Sequence, residues 1–403
     1  MSPTVLIIGC GVAGPVLALL LKQKGYHPIV LEKVRALSDA GASLMLQPNG
    51  MKVLSLINAT PFLRTTNSLP LATLWHGTAD GTTLGSSAFP STYETTYGQP
   101  AMGIKRTALN LHLKDLVLSQ GIPVHEGWQL TSMREHADSV TAEFANGESV
   151  TGAFLIGSDG IKASSRKILL QNDEGLPSFT GLVQIAGISK TDGRFGASMR
   201  NWYGEGVHVI AYPVSRDEVS WALTVREEKE VAESWGVESG RGLEERKMGL
   251  VGRLGGQFED DVVQMVNAAE RIISFGLFDR KELSPEQWFS TRCVLVGDAA
   301  HPTSPHLGQG ANQAMEDCYH LSRLLPDAHA FDGSALEGVF REFVQLRQPR
   351  TSALVKEARR LGDEQRVVVG EERCRQRDAR IKAAWSDPEQ VVKGLDPLLK
   401  EPF

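Results

Sequence analysis

Three glycines near the start of the chain have the spacing of a phosphate-binding turn. The segment Gly9-Cys10-Gly11-Val12-Ala13-Gly14 follows an apolar run, residues 5–8, and precedes a leucine-rich stretch. Between a strand and a helix, the first glycine permits a tight turn, the second lets a pyrophosphate approach the backbone, and the third lets the helix pack on the strand. Free N–H groups at the helix N-terminus then attract phosphate. The segment predicts a pyrophosphate site, with Val12 and Ala13 among its contacts.

An acidic residue stands at the end of the next predicted strand. Glu32 comes 18 residues after Gly14 and is followed directly by Lys33. A carboxylate at this place accepts hydrogen bonds from a ribose diol and favours an adenosine with a free 2′-hydroxyl. Glu32 and Lys33 are therefore predicted to contact a dinucleotide that contains ADP. At this point both NAD and FAD remain open.

A second carboxylate, Asp298, follows the predicted strand 294–296 and precedes a loop rich in proline and glycine. This arrangement is unnecessary for NAD, but it suits the far half of FAD. Asp298 can accept hydrogen bonds from the ribityl hydroxyls, and a helix N-terminus can stabilise the negative charge on the pyrimidine edge of reduced flavin. The sequence therefore predicts FAD, with contacts from the backbone N–H groups of Gly308, Gln309, Gly310, Ala311 and Asn312.

The elements that must position these residues are those of an α/β protein. A strand at 5–8, a helix at 13–24 and a strand at 29–31 form a βαβ unit. A hairpin is predicted over 140–156, with Asn146-Gly147 as its turn. Alternating segments between about 177 and 227 predict an antiparallel sheet, which residues 72–86 could join. Residues 227–270 and the chain after 335 predict helices.

Composition narrows the class of protein. The 403 residues are 41% hydrophobic and 22% charged, with a formal net charge of −6. These values are typical of a globular protein of several structural units and give no reason to expect a nucleic-acid partner. No apolar run reaches the ~20 residues of a membrane span. The predicted compartment is the cytoplasm, with peripheral membrane association open. A C-x-x-C pair is missing, which argues against a metal site or a dithiol centre among Cys10, Cys293, Cys318 and Cys374.

Three motifs in this order resemble those of the group A flavoprotein monooxygenases, which include p-hydroxybenzoate and salicylate hydroxylases and the tetracycline-modifying monooxygenases. The motifs are the glycine segment 9–14, Gly157-Ser158-Asp159-Gly160, and Gly297-Asp298-Ala299-Ala300-His301-Pro302. The resemblance covers about residues 3–350. It implies that FAD is contacted by Glu32, Arg106, Asp298, Ala311 and the backbone near Met45. It also implies that Asp159 serves both the pyrophosphate and the nicotinamide donor, and that His301 is structural.

The resemblance implies an α/β fold with three parts. They are a discontinuous Rossmann-type (GR2-like) FAD-binding domain (1–72, 101–174 and 272–330), an inserted antiparallel-sheet substrate domain (73–100 and 175–271), and a C-terminal helical segment (331–403). The implied activity is an NAD(P)H-driven monooxygenase that inserts one oxygen atom of O2 through a C4a-hydroperoxyflavin. Its expected substrate is phenolic, polyketide-like or another secondary metabolite, and hydroxylation is the first expectation. Epoxidation and a non-redox lipid-escort protein of the same fold remain alternatives.

The predicted substrate region matches the family least. Salicylate-hydroxylase-like members often carry a tryptophan-arginine-glycine element where this chain has residues 184–188, and similarity to the tetracycline-modifying branch makes Gln184 a candidate substrate contact. His208, Ile210 and Tyr212 share one face of a predicted strand. His208 and Tyr212 are therefore candidate substrate contacts, and Tyr212 is the candidate catalytic residue. Pro305 and His306 are expected beside the flavin ring.

The glycine motif of a Rossmann turn occurs once in the chain, at residues 9–14, and this bears on how electrons reach the flavin. Gly308-Gln309-Gly310 lacks a third glycine, so the sequence offers no second Rossmann turn for a nicotinamide cofactor. Without a cysteine pair, hydride must pass directly to the flavin from NAD(P)H that binds transiently. We expect substrate to trigger this reduction. The predicted partners are a small-molecule substrate and O2. The sequence does not determine the oligomeric state, and a homodimer is compatible with it.

Overall fold

The structure of the protein is a computed structural model, which describes residues 2–36, 43–171, 176–230, 234–238 and 240–403. The strands in chain order are β1 (Thr4–Ile8), β2 (His27–Glu32), β3 (Ser43–Leu46), β4 (Thr73–Thr78), β5 (Thr83–Ser87), β6 (Met102–Lys105), β7 (Val124–Glu126), β8 (Leu130–Glu135), β9 (Val140–Phe144), β10 (Ser149–Gly152), β11 (Phe154–Gly157), β12 (Ser178–Lys190), β13 (Ser198–Tyr203), β14 (Val207–Pro213), β15 (Glu218–Arg226), β16 (Ser234–Glu238), β17 (Ala269–Asp279) and β18 (Cys293–Leu295).

The helices in chain order are α1 (Ala13–Gln23), α2 (Pro48–Leu56), α3 (Thr60–Thr65), α4 (Tyr93–Tyr97), α5 (Arg106–Ser119), α6 (Ser164–Leu169), α7 (Gly240–Leu254), α8 (Asp260–Asn267), α9 (Gly310–Leu324), α10 (Leu336–Leu361), α11 (Glu371–Ala384) and α12 (Pro388–Leu399). A π-helical turn, Gly362–Arg366, follows α10. Among the described helices, none combines the length and hydropathy that a membrane span requires.

A five-stranded parallel sheet brings the three sequence motifs to one edge. Its order is β18-β11-β1-β2-β7, and all its pairings are parallel. Ile8 is in register with Gly157 and Leu31, and Gly157 is in register with Leu295. The turns that follow these strands therefore meet, because the carboxyl ends of parallel strands lie at the same edge. The predicted α/β fold with a Rossmann-type βαβ unit is confirmed.

The predicted hairpin differs from the observed one after its turn. β9 and β10 pair antiparallel around Asn146-Gly147, but the return segment ends at Gly152. The next residues, β11, cross into the parallel sheet between β1 and β18. The side chains of Phe154, Leu155 and Ile156 are fully buried. A run that is apolar on both faces favours the centre of a parallel sheet over a half-exposed hairpin.

The second large sheet has eight strands in the order β16-β17-β12-β15-β14-β13-β4-β5. It is antiparallel except for the parallel pair β13 and β4, and residues 73–87 join its edge. The helices α7 and α8 cover one face, where Leu254 and Val266 share a core with Trp221. Residues 227–270 also include the edge strand β16; residues 231–233 and 239 lie outside the described residues. The predicted boundary between residues 271 and 272 falls inside β17.

The C-terminal helices pack against the parallel-sheet unit through buried charges. Arg347 of α10 pairs with Glu316 at 2.6 Å and Asp317 at 2.7 Å, both in α9. At the end of α12, the carbonyl of Lys400 accepts a hydrogen bond from the Lys52 ammonium of α2 at 2.6 Å. The first contacts hold α10 against α9, and the second holds the end of the chain against α2.

Candidate cofactor and substrate site

A cavity of about 760 Å³ lies between the edge of the parallel sheet, the eight-stranded sheet and the C-terminal helices. Ligand cavities of this size hold a cofactor or a drug-sized molecule. Gly14, His208 and Asn312 were predicted site residues but are not in its wall. The predicted residues that line it are Gly9, Gly11, Val12, Ala13, Glu32, Lys33, Met45, Arg106, Asp159, Gln184, Tyr212, Asp298, Pro305, His306, Gly308, Gln309, Gly310 and Ala311.

The three glycines of the first turn are needed for different reasons. Gly9 has φ +107°, and a Cβ there would lie 2.5 Å from the Ser158 carbonyl oxygen. A Cβ on Gly14 would lie 2.0 Å from the Gly9 carbonyl oxygen. A Cβ on Gly11 would meet no atom within 4 Å. Protein packing thus accounts for Gly9 and Gly14, whereas the open space at Gly11 fits a ligand that approaches the backbone. The adjoining helix α1 has no side-chain cap, so its first N–H groups are free for phosphate.

Glu32 connects the end of β2 to the glycine turn. Its side chain is 8% exposed and accepts hydrogen bonds from the backbone N–H of Cys10 at 2.7 Å and of Val34 at 2.9 Å. A carboxylate has about four acceptor positions. Two of them therefore remain for the ribose diol, in keeping with the role predicted for this residue.

Asp298 is an acceptor that the protein leaves unused. Within the described residues, no hydrogen-bond donor reaches its carboxylate, although the residue lines the cavity. Burial raises the pKa of Asp298, and the opposing effects of His301 and Arg106 reduce that rise. A desolvated carboxylate facing a cavity fits the hydroxyl donors of a ribityl chain.

A buried network fixes the loop that carries Asp298. His301 lies 2.6 Å from Asp317, which also accepts from the Gly297 N–H at 2.8 Å. Burial alone would raise the pKa of Asp317, but His301 and Arg347 outweigh it and hold the pKa below its usual range. In this arrangement His301 contacts the protein rather than the cavity, in keeping with the structural role expected for it.

Asn312 also contacts the protein rather than the cavity. Its amide oxygen accepts from the Gln47 N–H at 3.0 Å, and its amide nitrogen donates to the Met45 carbonyl at 3.1 Å. The side chain therefore joins the start of α9 to β3 and is buried in that joint. Because Gln309 provides no side-chain cap for α9, the first-turn N–H groups of that helix are left for a ligand.

Asp159 lines the cavity but already has partners in the protein. Its carboxylate accepts from the backbone N–H of Ser165 at 3.0 Å and from the hydroxyl of the same residue, at the start of α6. Burial raises the pKa of Asp159, and these hydrogen bonds oppose the rise. Its contact with pyrophosphate and donor stays a prediction.

Tyr212 and His306 face the cavity from the sheet and from the loop. Burial raises the pKa of Tyr212 to about 12, although the Ser220 and Ser43 hydroxyls oppose the rise. Tyr212 is thus a hydrogen-bond donor at neutral pH and cannot act there as a base. Burial, assisted by Arg366, lowers the pKa of His306 to about 3, so this imidazole is neutral.

The structure places His208 behind the cavity wall, although sequence alternation put it on the same face as Tyr212. Its Nε2 lies 3.1 Å from the Asn201 amide oxygen and 2.7 Å from the Arg366 guanidinium. Burial, assisted by Arg366, lowers its pKa well below the usual value. Asn201 and Arg366 take its place in the lining.

Sequence reasoning missed the contribution of the C-terminal segment. Its cavity-lining residues lie beyond residue 350, where the family resemblance ends, and they follow no motif. An isolated tryptophan after a charged helix, Trp385, was the one signal available. The lining residues from this segment are Glu357, Arg360, Leu361, Gln365, Arg366, Trp385, Leu395, Leu398 and Leu399.

Known proteins with similar sequences identify the family of this chain. A family model described as an FAD binding domain matches residues 2–358. The chain belongs to this family. It is 30% identical to 3-amino-4-hydroxybenzoate 2-monooxygenase from Streptomyces cremeus, covering 96% of this chain and 93% of the relative. It is 28% identical to 6-hydroxynicotinate 3-monooxygenase from Bordetella bronchiseptica, covering 87% and 89%. The predicted class, an FAD-dependent monooxygenase, is confirmed.

Solved structures agree in fold. Klebsiella pneumoniae HpxO, solved with FAD and uric acid, has a TM-score of 0.84 at 24% identity, and the match covers 99% of this chain and 97% of that one. A tetracycline destructase has a TM-score of 0.66 at 19% identity over the full length of both chains. At these identities the comparison shows the fold, and the fold is that of FAD-binding proteins.

Proposed function

We propose that the chain hydroxylates a carbon of a phenolic or related heteroaromatic ring, with NAD(P)H as electron donor and O2 as the source of oxygen. The observation that carries the proposal is one continuous cavity, which reaches from the glycine turn at Gly11 to sheet residues such as Gln184 and Tyr212. The named relatives act on hydroxylated aromatic rings. This support favours hydroxylation over epoxidation, and catalysis over a lipid-escort role.

The chain's own residues provide binding, orientation and exclusion of water. FAD, when bound, supplies the redox and oxygen chemistry. Glu32 would hold the adenosine ribose, the start of α1 the pyrophosphate and Asp298 the ribityl chain. The uncapped start of α9 would face the pyrimidine edge and stabilise negative charge by up to ~2 kcal/mol. Lys33, Met45, Arg106 and residues 308–311 remain proposed contacts.

On the substrate side, Gln184 and Tyr212 would orient the ring. Tyr212 would do so as a donor to an oxygen of the substrate, since its pKa is about 12. Pro305 and His306 would lie beside the flavin ring, and His306 would act as a neutral group. His208 would act only through Asn201 and Arg366, which separate it from the cavity.

The electron donor would bind transiently near Asp159 and Arg106. We expect weak NAD(P)H binding and anaerobic flavin reduction that accelerates when substrate is present, because premature reduction would waste O2 as hydrogen peroxide. Reduction at one rate with and without a substrate that becomes hydroxylated would contradict this order of events. A cytoplasmic location and a homodimer stay predictions.

The proposal is tested with the purified chain. We expect a flavin absorbance spectrum, and NAD(P)H oxidation that depends on a phenolic compound and yields a product containing one atom of labelled O2. A colourless preparation that takes up no FAD would favour the lipid-escort alternative. Label appearing only in hydrogen peroxide across a panel of phenols and polyketides would argue against hydroxylation.

A further inference from the structure

Arg366 is a buried cation in the cavity wall whose partners are all neutral. It stands in the π-helical turn after α10 and is 8% exposed. No carboxylate of the described residues forms an ion pair with it. Its partners are the Asn201 amide oxygen at 2.8 Å, the Tyr203 hydroxyl at 3.0 Å and the His208 imidazole at 2.7 Å, all from Nη1, and the His306 carbonyl at 3.0 Å from Nη2.

Part of the guanidinium is left without an acceptor. A guanidinium has five N–H bonds. Nη1 and one N–H of Nη2 are engaged, whereas Nε is buried and has no partner among the described residues. Nε and Nη2 form one edge of the group, and such an edge pairs with both oxygens of a carboxylate. A buried charged donor without an acceptor is costly, so this edge favours an incoming anion.

The surroundings leave the charge of Arg366 uncompensated. Burial, assisted by Arg366, lowers the pKa of His76 to about 3 and that of His306 to about 3, so both are neutral at physiological pH. The other arginine of this segment that lines the cavity, Arg360, is different. It pairs with Glu357 at 2.7 Å and Glu364 at 3.2 Å.

The position of Arg366 indicates which anion it could meet. Its partners Asn201 and His208 belong to β13 and β14 of the eight-stranded sheet, on the substrate side of the cavity. The phosphates of FAD are expected at the glycine turn, on the parallel sheet. NAD(P)H, the other anion of the reaction, is expected near Asp159 and Arg106, so an anion beside Arg366 would be part of the substrate.

We infer that Arg366 is a specificity-determining residue, which pairs with a carboxylate carried by the aromatic substrate. The inference rests on the proposed function, because it places the substrate in the same cavity. It assigns to the C-terminal segment the selection of an anionic ring over a neutral one. The sheet residues would orient the rest of the ring.

The first test compares matched ligands on the FAD-loaded wild-type chain. The probes are 4-hydroxybenzoate and 3-amino-4-hydroxybenzoate, each against the amide that replaces its carboxylate, with the dissociation constant read from perturbation of flavin absorbance. We expect the carboxylates to bind about 10- to 100-fold more tightly, the effect of one or two charge-assisted hydrogen bonds. Equal binding, tighter binding of the amides or no binding of any carboxylate overturns the inference.

The second test uses Arg366→Gln, with Arg375→Gln as control for the loss of one positive charge from the same segment. Arg375 is exposed and pairs with Glu371 and Glu372. We expect Arg366→Gln to remove the preference for carboxylate while FAD content and amide binding stay unchanged. An equal loss for both ligand types would mark Arg366 as structural and overturn the inference.

A third variant keeps the inference testable if Arg366→Gln does not fold. Arg366→Lys keeps the charge but loses the two-pronged geometry, so it should retain an intermediate preference for carboxylate. A full preference in this variant would contradict pairing through the Nε edge. The outcomes also separate the two proposals. A chain that holds FAD and hydroxylates neutral phenols best keeps its proposed function and loses this inference, whereas a chain without FAD loses the proposed function.

Discussion

The two halves of the cavity are built from different parts of the polypeptide. The half at the parallel sheet uses backbone N–H groups, an open glycine position and two carboxylates at strand ends, Glu32 and Asp298. The half at the eight-stranded sheet uses side chains from separate strands and from the C-terminal segment, such as Gln184, Asn201 and Arg366. A dinucleotide can be held by local geometry that recurs in many chains, whereas a substrate is selected by side chains that meet only in the folded molecule.

The largest effects are expected from alanine substitutions in the glycine turn. They distinguish a glycine that protein packing requires from a glycine that ligand binding requires. Gly14→Ala should lower the free energy of unfolding by about 3 kcal/mol or more, because its Cβ would lie 2.0 Å from the Gly9 carbonyl oxygen. Gly11→Ala should leave the fold intact and impair only FAD binding. Thermal unfolding of FAD-free protein and FAD titration measure the two effects. A destabilised FAD-free Gly11→Ala would show that protein packing also requires this glycine.

The next effect is the loss of FAD from Glu32→Ala. Removing the carboxylate removes the ribose contacts and the acceptor for the Cys10 N–H, which positions the turn. We expect FAD affinity to fall at least about 100-fold, since hydrogen bonds to a charged group contribute about 1.5–3 kcal/mol each. The flavin-to-protein ratio after gel filtration measures it. A ratio near one would refute the adenosine assignment.

Asp298→Ala should weaken FAD binding by about 10- to 100-fold without lowering the stability of FAD-free protein, because its carboxylate has no hydrogen bond within the described residues. A large drop in the melting temperature of FAD-free protein would instead show a structural role.

The pH dependence sharpens the test of Asp298. Burial raises its pKa in the FAD-free protein, and hydroxyl donors of FAD would lower it by stabilising the charged form. FAD affinity should therefore be full above the raised pKa and fall as the pH drops through it. Fluorescence titrations from neutral to acidic pH should show this decline in the wild type. If Asp298→Asn shows the same decline, another group is responsible.

The smallest effect is expected for Tyr212→Phe on the substrate half. The loss of one neutral hydrogen bond costs about 0.5–1.5 kcal/mol, so the change in kcat/KM should stay near or below about tenfold. Because the Tyr212 pKa is about 12, the pH profile in the neutral range should not move. A displaced profile or a loss of several orders of magnitude would restore the catalytic role that the sequence suggested.

The sequence by itself predicted the residues of the cavity half that we propose for FAD. Gly9 to Gly14, Glu32 and Asp298 are recognisable because each follows a short apolar strand, and parallel strands must bring their carboxyl ends to one edge. The same reasoning predicted the start of α9 near Gly310. It could not foresee that residues 154–157 leave the hairpin, since the choice depends on strands far away in the chain.

Only the tertiary structure decided which side chains line the substrate half. Alternation along β14 put His208 and Tyr212 on one face, but what covers a strand face depends on the segment that packs over it. Arg366 lies between His208 and the cavity, although 158 residues separate the two in sequence. The side chain of Asn312 likewise contacts the protein, at Gln47 and Met45. Backbone motifs have a local spacing that the sequence displays, whereas the neighbours of a buried side chain come from distant segments whose packing no local pattern encodes.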